Sequence, residues 1–354
     1  MPTNEAILDV LRPVKDLEQQ KSLVEQNMIR DVKIDDGHVS FKLALASSCT
    51  PLKGLLVEDC ERAVKKLPGV QSVSVELIIE APQHRNTLPS QQGISGVKHI
   101  IAVSSGKGGV GKSTVAVNLA VALAKAGSKV GLIDADIYGP NAPIMMGLQD
   151  TGVTVQDGPD GQQLLEPVFN HGVKLVSMGF LIDPDQPVVW RGPMLNGIIR
   201  QFLYQVQWGE LDYLIVDMPP GTGDAQLTMA QAVPMAGVVI VTTPQDVALA
   251  DARRGLKMFQ QLNVRVLGIV ENMSYFVPPD MPDKSYDIFG SGGGEKAAKA
   301  LGVPLLGCVP LEMPVREGGD AGKPIVLAQP DSLSAEALTK ISQQVARVSV
   351  AALT

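Results

Sequence analysis

The sequence is poor in cysteine and aromatic side chains, and it contains no long hydrophobic run. Its three cysteines are too few and too widely spaced for a disulfide framework. No apolar stretch approaches the roughly 20 residues that cross a bilayer, and residues 1–5 lack the apolar core of a secretory signal. We therefore expect a soluble, cytoplasmic protein.

Positive charge is also scarce. The chain has 30 lysine and arginine residues against 37 aspartate and glutamate residues, which gives a net charge of −7. This balance argues against bulk binding of nucleic acid. The hydrophobic fraction of 45% allows a substantial buried core, and 354 residues favour two domains over one.

Residues 1–82 are predicted to form a small α+β domain. Its expected elements are helices near residues 4–11, 22–26 and 54–67, and strands near residues 29–34, 39–45 and 70–79. Asp36-Gly37 lies between the first two strands and is a hairpin turn signal. Residues 83–96 have no apolar periodicity, so we predict a linker there.

Residues 97–354 alternate apolar strands with helical segments. Most of the strands are continuous apolar runs, which is typical of strands covered on both faces. The pattern predicts an α/β domain whose mostly parallel sheet has helices on both sides. Strands are expected at 100–104, 130–134, 174–178, 213–217, 238–242, 266–272 and 305–309, and helices at 115–126, 196–205, 225–231, 248–261, 294–300 and 334–348.

A glycine-rich segment separates the first strand of this domain from its first helix. It consists of Gly106-Lys107-Gly108-Gly109-Val110-Gly111-Lys112-Ser113-Thr114. Strand, loop and helix in this order are the context in which G-x-x-x-x-G-K-[ST] binds nucleotide phosphates, through glycine backbone N–H groups and the helix start. We expect Lys112 to contact the β- and γ-phosphates and Ser113 to bind Mg²⁺. The alternative is a glycine-rich turn without a ligand.

Aspartates follow two of the predicted strands, in Asp134-Ala135-Asp136 and at Asp217. In an open parallel sheet, ligands bind beyond the carboxyl ends of the strands. We predict that Asp217 holds Mg²⁺ through a water and that Asp136 orients the attacking water, while Asp134 points back into the strand end. The alternative for Asp217 is a cap on the following loop. Gly221-Thr222-Gly223 is predicted to move when the γ-phosphate leaves.

Lys107 lies inside the glycine-rich loop, where a minimal phosphate loop tolerates almost any residue. A lysine on the outer rim can reach the phosphates of a second subunit, as an arginine finger does in trans. The active form would then be a dimer with two nucleotides between its subunits. The alternative is a solvated loop lysine.

The glycine-rich segment resembles the deviant Walker A motif of the MinD/ParA-type ATPases, whose second lysine acts across a dimer. Further segments narrow the resemblance to the Mrp/ApbC family of iron–sulfur cluster carrier ATPases. They are Asp134-Ala135-Asp136-Ile137-Tyr138-Gly139-Pro140-Asn141, Trp190-Arg191-Gly192-Pro193-Met194, Asp217-Met218-Pro219-Pro220-Gly221-Thr222-Gly223-Asp224, Glu271-Asn272-Met273-Ser274-Tyr275 and Arg316-Glu317-Gly318-Gly319-Asp320.

The N-terminal domain, with Ala46-Ser47-Ser48-Cys49-Thr50-Pro51-Leu52-Lys53 and Leu67-Pro68-Gly69-Val70, resembles the iron–sulfur assembly domain often fused to such ATPases. The resemblance implies a P-loop NTPase fold, Mg²⁺-dependent ATP hydrolysis, a homodimer and delivery of iron–sulfur clusters to apoproteins. It also implies that Asn272 contacts adenine. The expected partners are recipient apoproteins and iron–sulfur assembly proteins, without nucleic acid or membrane.

The sequence departs from this family in one respect. After the Asn-Met-Ser-Tyr-Phe segment the family usually carries a Cys-x-x-Cys pair, and two such pairs would hold one [4Fe–4S] cluster between subunits. Here residues 277–282 contain no cysteine, and none occurs between Cys60 and Cys308. The usual bridging site therefore cannot form.

The three cysteines have different expected roles. Cys60 falls on the apolar face of a predicted helix and Cys308 in an apolar strand, so both are predicted to be core residues. Cys49 lies in a loop before a helix start, where a thiolate is favoured, and it matches the usual cysteine of the assembly domain. We therefore name Cys49 as the candidate iron–sulfur ligand.

Three other functions remain open from the sequence. A MinD/ParA-like positioning ATPase would need a basic amphipathic C-terminus, but residues 332–354 carry only Lys340 and Arg347. An ATP-switched adaptor that holds no cluster fits the missing Cys-x-x-Cys pair. A reductase resembling the nitrogenase iron protein would need several cysteines in the ATPase half, which has only Cys308.

Overall fold

The computed structural model describes residues 2–14, 22–24, 28–35, 37–45, 53–79, 91–137, 139–157, 163–181 and 192–350. The chain divides into two compact units, Met1–Thr87 and Leu88–Thr354. Among the described residues, no helix is long and apolar enough to cross a membrane.

The smaller unit is an α+β structure. Its elements are α1 (Asn4–Leu11), β1 (Ile29–Asp35), β2 (His38–Leu45), α2 (Lys53–Val64) and β3 (Ser72–Ile79). β2 pairs antiparallel with β1 and parallel with β3. Its core contains Ile7 and Leu11 of α1 and Phe41 and Leu43 of β2, all fully or nearly fully buried. β1 and β2 form a hairpin in which Asp35 pairs with His38, and Gly37 has the left-handed conformation with φ 84°. Asp36, the other residue of the predicted turn, lies outside the described residues.

The helix predicted at residues 22–26 is wrong for the residues that the structure describes. Residues 22–24 form a bridge and a turn. The Leu23 N–H donates to the Val14 carbonyl (3.0 Å), and the Leu23 carbonyl accepts from the Met28 N–H (2.9 Å). This path buries Leu23 completely, so tertiary contacts outweigh local helical preference.

The larger unit contains a mostly parallel sheet with helices on both faces, as predicted. Its elements are β4 (Val97–Ser105), α3 (Lys112–Lys125), β5 (Val130–Asp134), α4 (Ala142–Met145), β6 (Thr154–Asp157), β7 (Gln163–Glu166), β8 (Val168–Asn170), β9 (Val173–Ser177), α5 (Gly192–Tyr204), β10 (Leu211–Asp217), α6 (Asp224–Ala232), β11 (Gly237–Thr242), α7 (Asp246–Gln261), β12 (Val266–Phe276), α8 (Gly293–Leu301), β13 (Leu305–Leu311), α9 (Met313–Asp320), α10 (Ile325–Ala328) and α11 (Leu333–Val350).

The sheet order among the described residues is β13-β12-β11-β4-β10-β5-β9-β8, and only β8 runs antiparallel to its neighbour. β4 lies near the middle and is buried on both faces. Ile100 and Ala102 face a core that includes residues of α5–α8, while Ile101 and Val103 face a core that includes residues of α3 and α11. The continuous apolar run in this strand follows from that double burial.

Residues 91–96, at the end of the predicted linker 83–96, lie within the larger unit. The Gln91 side-chain amide donates to the Ala230 carbonyl (2.9 Å), the Gln92 N–H donates to the Ala232 carbonyl (3.1 Å), and Ile94 is buried. The remaining linker positions, 83–90, lie outside the described residues. The domain boundaries at 82 and 97 stay predictions.

Candidate nucleotide-binding site

The glycine-rich loop leaves the end of β4 and enters α3 at Lys112. Gly109 and Gly111 both have φ 79°, the left-handed conformation that favours glycine. Gly111 is the residue just before α3, and a Cβ there would lie 2.1 Å from the side-chain nitrogen of Asn272. A Cβ on Gly106 would lie 2.1 Å from the carbonyl carbon of Asp251 in α7. The loop thus needs glycine both for its conformation and for its packing.

Three predicted site residues meet at the carboxyl end of the sheet. The Lys112 ammonium lies 2.5 Å from Asp217 Oδ1 and 3.4 Å from Asp136 Oδ2. Parallel pairing aligns Asp217 with Asp134 at the end of β5. Asp136 lies two residues beyond that strand end, on the side of the sheet where Asp217 ends the neighbouring strand. Ser113 Oγ is 3.3 Å from the same ammonium. With Ser113 added, the buried cluster contains four side chains (Lys112, Ser113, Asp136 and Asp217).

Burial and mutual charge control the protonation of this cluster. Burial raises the pKa of Asp217, although the Lys112 ammonium opposes the rise. Burial lowers the pKa of Lys112, but the carboxylates of Asp217 and Asp136 raise it by more, so the net shift is upward and the ammonium is retained. The site is therefore a buried cation held between two acidic side chains.

Asp134 lies behind this cluster. Its carboxylate accepts hydrogen bonds from the Ala142 N–H (3.1 Å), the Asp136 N–H (3.2 Å) and the Ser177 hydroxyl (2.9 Å). Burial and the charge of Asp217 raise the pKa of Asp134 to about 7. These bonds tie Asp134 to the loop that follows β5, in keeping with the predicted backward orientation.

The residues present are suited to Mg²⁺. Asp217 Oδ2 and Asp136 Oδ1 are buried and have no hydrogen-bond partner among the described residues. Buried carboxylate oxygens are seldom left unpaired, and carboxylate and hydroxyl oxygens are ligands that Mg²⁺ prefers. Ser113 and Asp217 are therefore chemically able to hold the ion, together with waters.

Two neighbouring cavities open beside the cluster. The loop cavity, about 300 Å³, is lined by the glycine-rich loop together with Asp136 and Pro220, and Lys107 is half-buried in its lining. The α9 cavity, about 320 Å³, lies against α3, α4 and α9. Both cavities share the lining residues Thr114, Asn141, Met145 and Met273.

Asn272 lines the α9 cavity and also supports the loop. Its side-chain amide donates to the Val110 carbonyl at 2.8 Å. Ser105 joins the loop to the Gly221 segment, because its hydroxyl donates to the Lys107 carbonyl and its own carbonyl accepts from the Gly221 N–H, both at 2.9 Å. Thr222 and Gly223 are exposed beyond that bond.

Most of the α9 cavity is lined by residues that no sequence pattern indicated. Asn141, Ile144 and Met145 belong to or precede a four-residue helix, and Val315 and Gly319 belong to α9. Neither helix is long enough to display a convincing apolar period. Met273 carries φ 54°, which interrupts the strand pattern just beyond Asn272. The segments that carried the resemblance include Asn141, Asn272 and Gly319, but they do not include Ile144, Met145 or Val315.

The cysteines occupy different environments. Cys60 is fully buried, as predicted, and burial raises the pKa of its thiol to about 12. The core prediction for Cys308 is wrong, since it is half-buried and lines a separate cavity of about 350 Å³ with Tyr275 and Glu295. β13 forms an edge of the sheet, so this position is covered less than a central strand. Cys49 lies outside the described residues, and the described ones contain no group of three or more His, Cys, Asp or Glu side chains able to hold a metal.

Comparison with known proteins agrees with these features. The iron-sulfur cluster carrier protein of Synechocystis sp. is 70% identical over 354 residues, with full coverage of both chains. A nucleotide-binding protein from Archaeoglobus fulgidus, solved with ADP, is 41% identical with a TM-score of 0.57 and covers 64% of this chain and 88% of its own. The cell division ATPase MinD of Pyrococcus furiosus shares the fold alone, with 24% identity, a TM-score of 0.52 and coverage of 70% and 98%.

Two family models match separate parts of the chain. The model described as iron-sulfur cluster assembly protein matches residues 4–77. The model described as NUBPL iron-transfer P-loop NTPase matches residues 96–346, which is more than half of the sequence. Both findings confirm the resemblance drawn from the sequence motifs. The chain therefore belongs to the NUBPL iron-transfer P-loop NTPase family.

Proposed function

We propose that this protein is an ATP-hydrolysing carrier that binds iron–sulfur clusters and transfers them to apoproteins. The observation that carries the ATPase part is the buried Lys112 ammonium between Asp217 and Asp136 at the loop cavity. The carrier part is supported by the Synechocystis relative, which is named an iron-sulfur cluster carrier protein. A cytoplasmic location stays a prediction.

In this proposal the triphosphate occupies the loop cavity and the base occupies the α9 cavity. Backbone N–H groups of Gly108, Gly109 and Gly111 surround the β- and γ-phosphates, because no side chain blocks their approach. Lys112 leaves its pair with Asp217 to contact phosphate oxygens. Asn272 lines the α9 cavity, which supports its predicted contact with adenine.

The proposed reaction is attack of water on the γ-phosphorus. Asp136 accepts a hydrogen bond from that water and orients its oxygen. A new P–O bond forms as the bond from the γ-phosphorus to the β–γ bridging oxygen breaks, ADP takes the electron pair, and the water proton passes to phosphate. Lys112 and Lys107 stabilise charge on the phosphate oxygens. Mg²⁺ held by Ser113 and Asp217 would neutralise further charge on the β- and γ-phosphates.

We further propose a homodimer in which Lys107 reaches the nucleotide of the partner subunit. Lys107→Ala is then expected to keep ATP affinity within about threefold while lowering turnover by about 100-fold or more, because its cation acts on the transition state. Nucleotide binding and single-turnover hydrolysis measure the two effects separately. Lys107→Arg is the matched control, since it retains a cation and should retain more activity. Unchanged turnover in Lys107→Ala would identify a solvated lysine instead.

The cluster is cargo, and its ligands are not the usual Cys-x-x-Cys pairs. We propose that two Cys49 thiolates in a dimer contribute to a labile site. After anaerobic reconstitution, Cys49→Ala is expected to contain much less iron and sulfide than wild type, because iron–sulfur clusters are bound through cysteine thiolates. Cys308→Ala is the matched control and should bind as much as wild type. Equal iron content in wild type and Cys49→Ala would eliminate Cys49 as a ligand.

One specific observation favours a second function. The sequence has no cysteine between Cys60 and Cys308, so the ATPase half lacks the cysteines of the usual shared cluster. An adaptor that uses ATP to assemble other iron–sulfur proteins would not need them. A transfer assay separates the two functions: a carrier delivers its own cluster to an apoprotein, whereas an adaptor accelerates delivery from another donor and carries no iron itself.

A further inference from the structure

One wall of the α9 cavity is formed by the end of β13 and by the segment that follows it, with lining residues between Pro310 and Pro324. This segment continues into α10, and residues 310–328 together are here called the 310–328 wall. The opposite side of the cavity is formed by Thr114, Val117 and Asn118 of α3. The distance between this wall and α3 therefore sets the width of the cavity.

The turn after α9 in the 310–328 wall packs against Gly147, just beyond α4. Gly147 and Gly322 pack backbone to backbone, so closely that a Cβ on Gly322 would lie 2.4 Å from the Gly147 Cα. The His171 ring is hydrogen-bonded to the Gly322 carbonyl at 2.9 Å. These contacts place the turn after α9, but they do not connect the wall to α3.

Asn118 makes that connection. Its side-chain oxygen accepts from the Val326 N–H at 3.2 Å, and its amide nitrogen donates to the Thr114 carbonyl at 2.9 Å. The two partners require opposite ends of the amide, which fixes its orientation. Val326 lies in the first turn of α10, where a backbone N–H has no acceptor within its own helix. Asn118 itself is only 3% exposed.

Lys125, about two turns farther along α3, binds the same residue. Its ammonium donates to the Val326 carbonyl at 3.1 Å. Asn118 differs from Lys125 because it also contacts Thr114, which lines both cavities. Asn118 thus connects the first turn of α3 to the 310–328 wall, whereas Lys125 connects the last turn of α3 to it.

We propose that Asn118 is a positioning residue that holds the 310–328 wall at the spacing required by the nucleotide base, and so contributes affinity for the base and not for the phosphates. This role rests on the proposed function, which assigns the base to the α9 cavity. Asn118 acts through Val326 and takes no part in hydrolysis.

The test compares Asn118→Leu with wild type by calorimetric titration of a non-hydrolysable ATP analogue and of inorganic tripolyphosphate, which has no base. Leucine has a similar size but cannot accept from the Val326 N–H. The ratio of the tripolyphosphate Kd to the ATP-analogue Kd is expected to fall about tenfold. KM for ATP should rise with kcat at saturation unchanged. Lys125→Met removes the other bond to Val326 at a position that lines neither cavity, and as the control it should leave the ratio within about twofold.

A general loss of stability would weaken both ligands together and leave the ratio unchanged, which would overturn the proposal. If Asn118→Leu fails to fold, hydrogen exchange of the wild-type protein provides the second measurement. The ATP analogue should slow exchange in residues 310–328 more than tripolyphosphate does, and equal protection by both would also overturn it. Wild-type protein that binds neither ligand would contradict the proposed function itself, whereas binding of both with an unaffected ratio would contradict only the role of Asn118.

Discussion

Lys112→Ala is expected to lower ATP turnover by roughly 100- to 1,000-fold, because it removes a preorganised cation from the phosphates at the transition state. The change also affects the protein before any ligand arrives. Asp217 and Asp136 would lose their buried counter-ion, at a cost of about 3–5 kcal/mol in the free energy of unfolding. Steady-state hydrolysis and chemical denaturation measure these two consequences.

A second variant separates catalysis from stability. In Lys112→Ala/Asp217→Asn the fully buried Asp217 carboxylate is replaced by a neutral amide, so much of the lost stability should return. Turnover should remain lost, because the cation is still missing and the Mg²⁺ ligand has been altered. Wild-type turnover in Lys112→Ala would contradict the assignment of the loop cavity to the triphosphate.

Of the glycine-to-alanine substitutions in the loop, Gly106→Ala is expected to cause the largest loss of stability. The new Cβ would lie 2.1 Å from the Asp251 carbonyl carbon and 2.4 Å from the Ala252 nitrogen. These are backbone atoms of α7, so no side-chain rotation can relieve the contact, and the loop must move away from the helix. We expect a loss of about 3 kcal/mol in stability and a loss of ATP affinity of at least 100-fold.

Gly108→Ala is the matched control for stability. It lies two residues away in the same loop, its added Cβ would have no atom within 4 Å, and its φ is not in the left-handed region. Its free energy of unfolding should stay within about 0.5 kcal/mol of wild type. Equal stability of Gly106→Ala and wild type, measured by denaturant titration, would show that α7 does not confine the loop.

The central part of the fold was predictable from the sequence because its signals are local. β4, β5, β10 and β11 are apolar runs between turn signals, and each was predicted to within a few residues. The position of Asp217 beside the loop also followed, since the ends of neighbouring parallel strands lie at one edge. Burial on both faces produced the pattern that made these strands recognisable.

Other parts were not predictable because they depend on distant contacts or on very short elements. β6, β7, β8, α4, α9 and α10 were not placed, and most of them are only three or four residues long. The bond between Asn118 and Val326 joins positions 208 residues apart, and no local pattern in either segment indicates it. The width of the α9 cavity is therefore a tertiary property, in contrast to the glycine-rich loop.

The two outer strands of the large sheet restrict how subunits can associate. β8 is only three residues long, and β13 carries Pro310, which has no N–H to offer an incoming strand. Neither outer strand is therefore suited to pair with a strand of a second subunit. The proposed homodimer would instead use the end of the sheet where Lys107 lies, and the same two outer strands hinder the addition of a strand from another molecule.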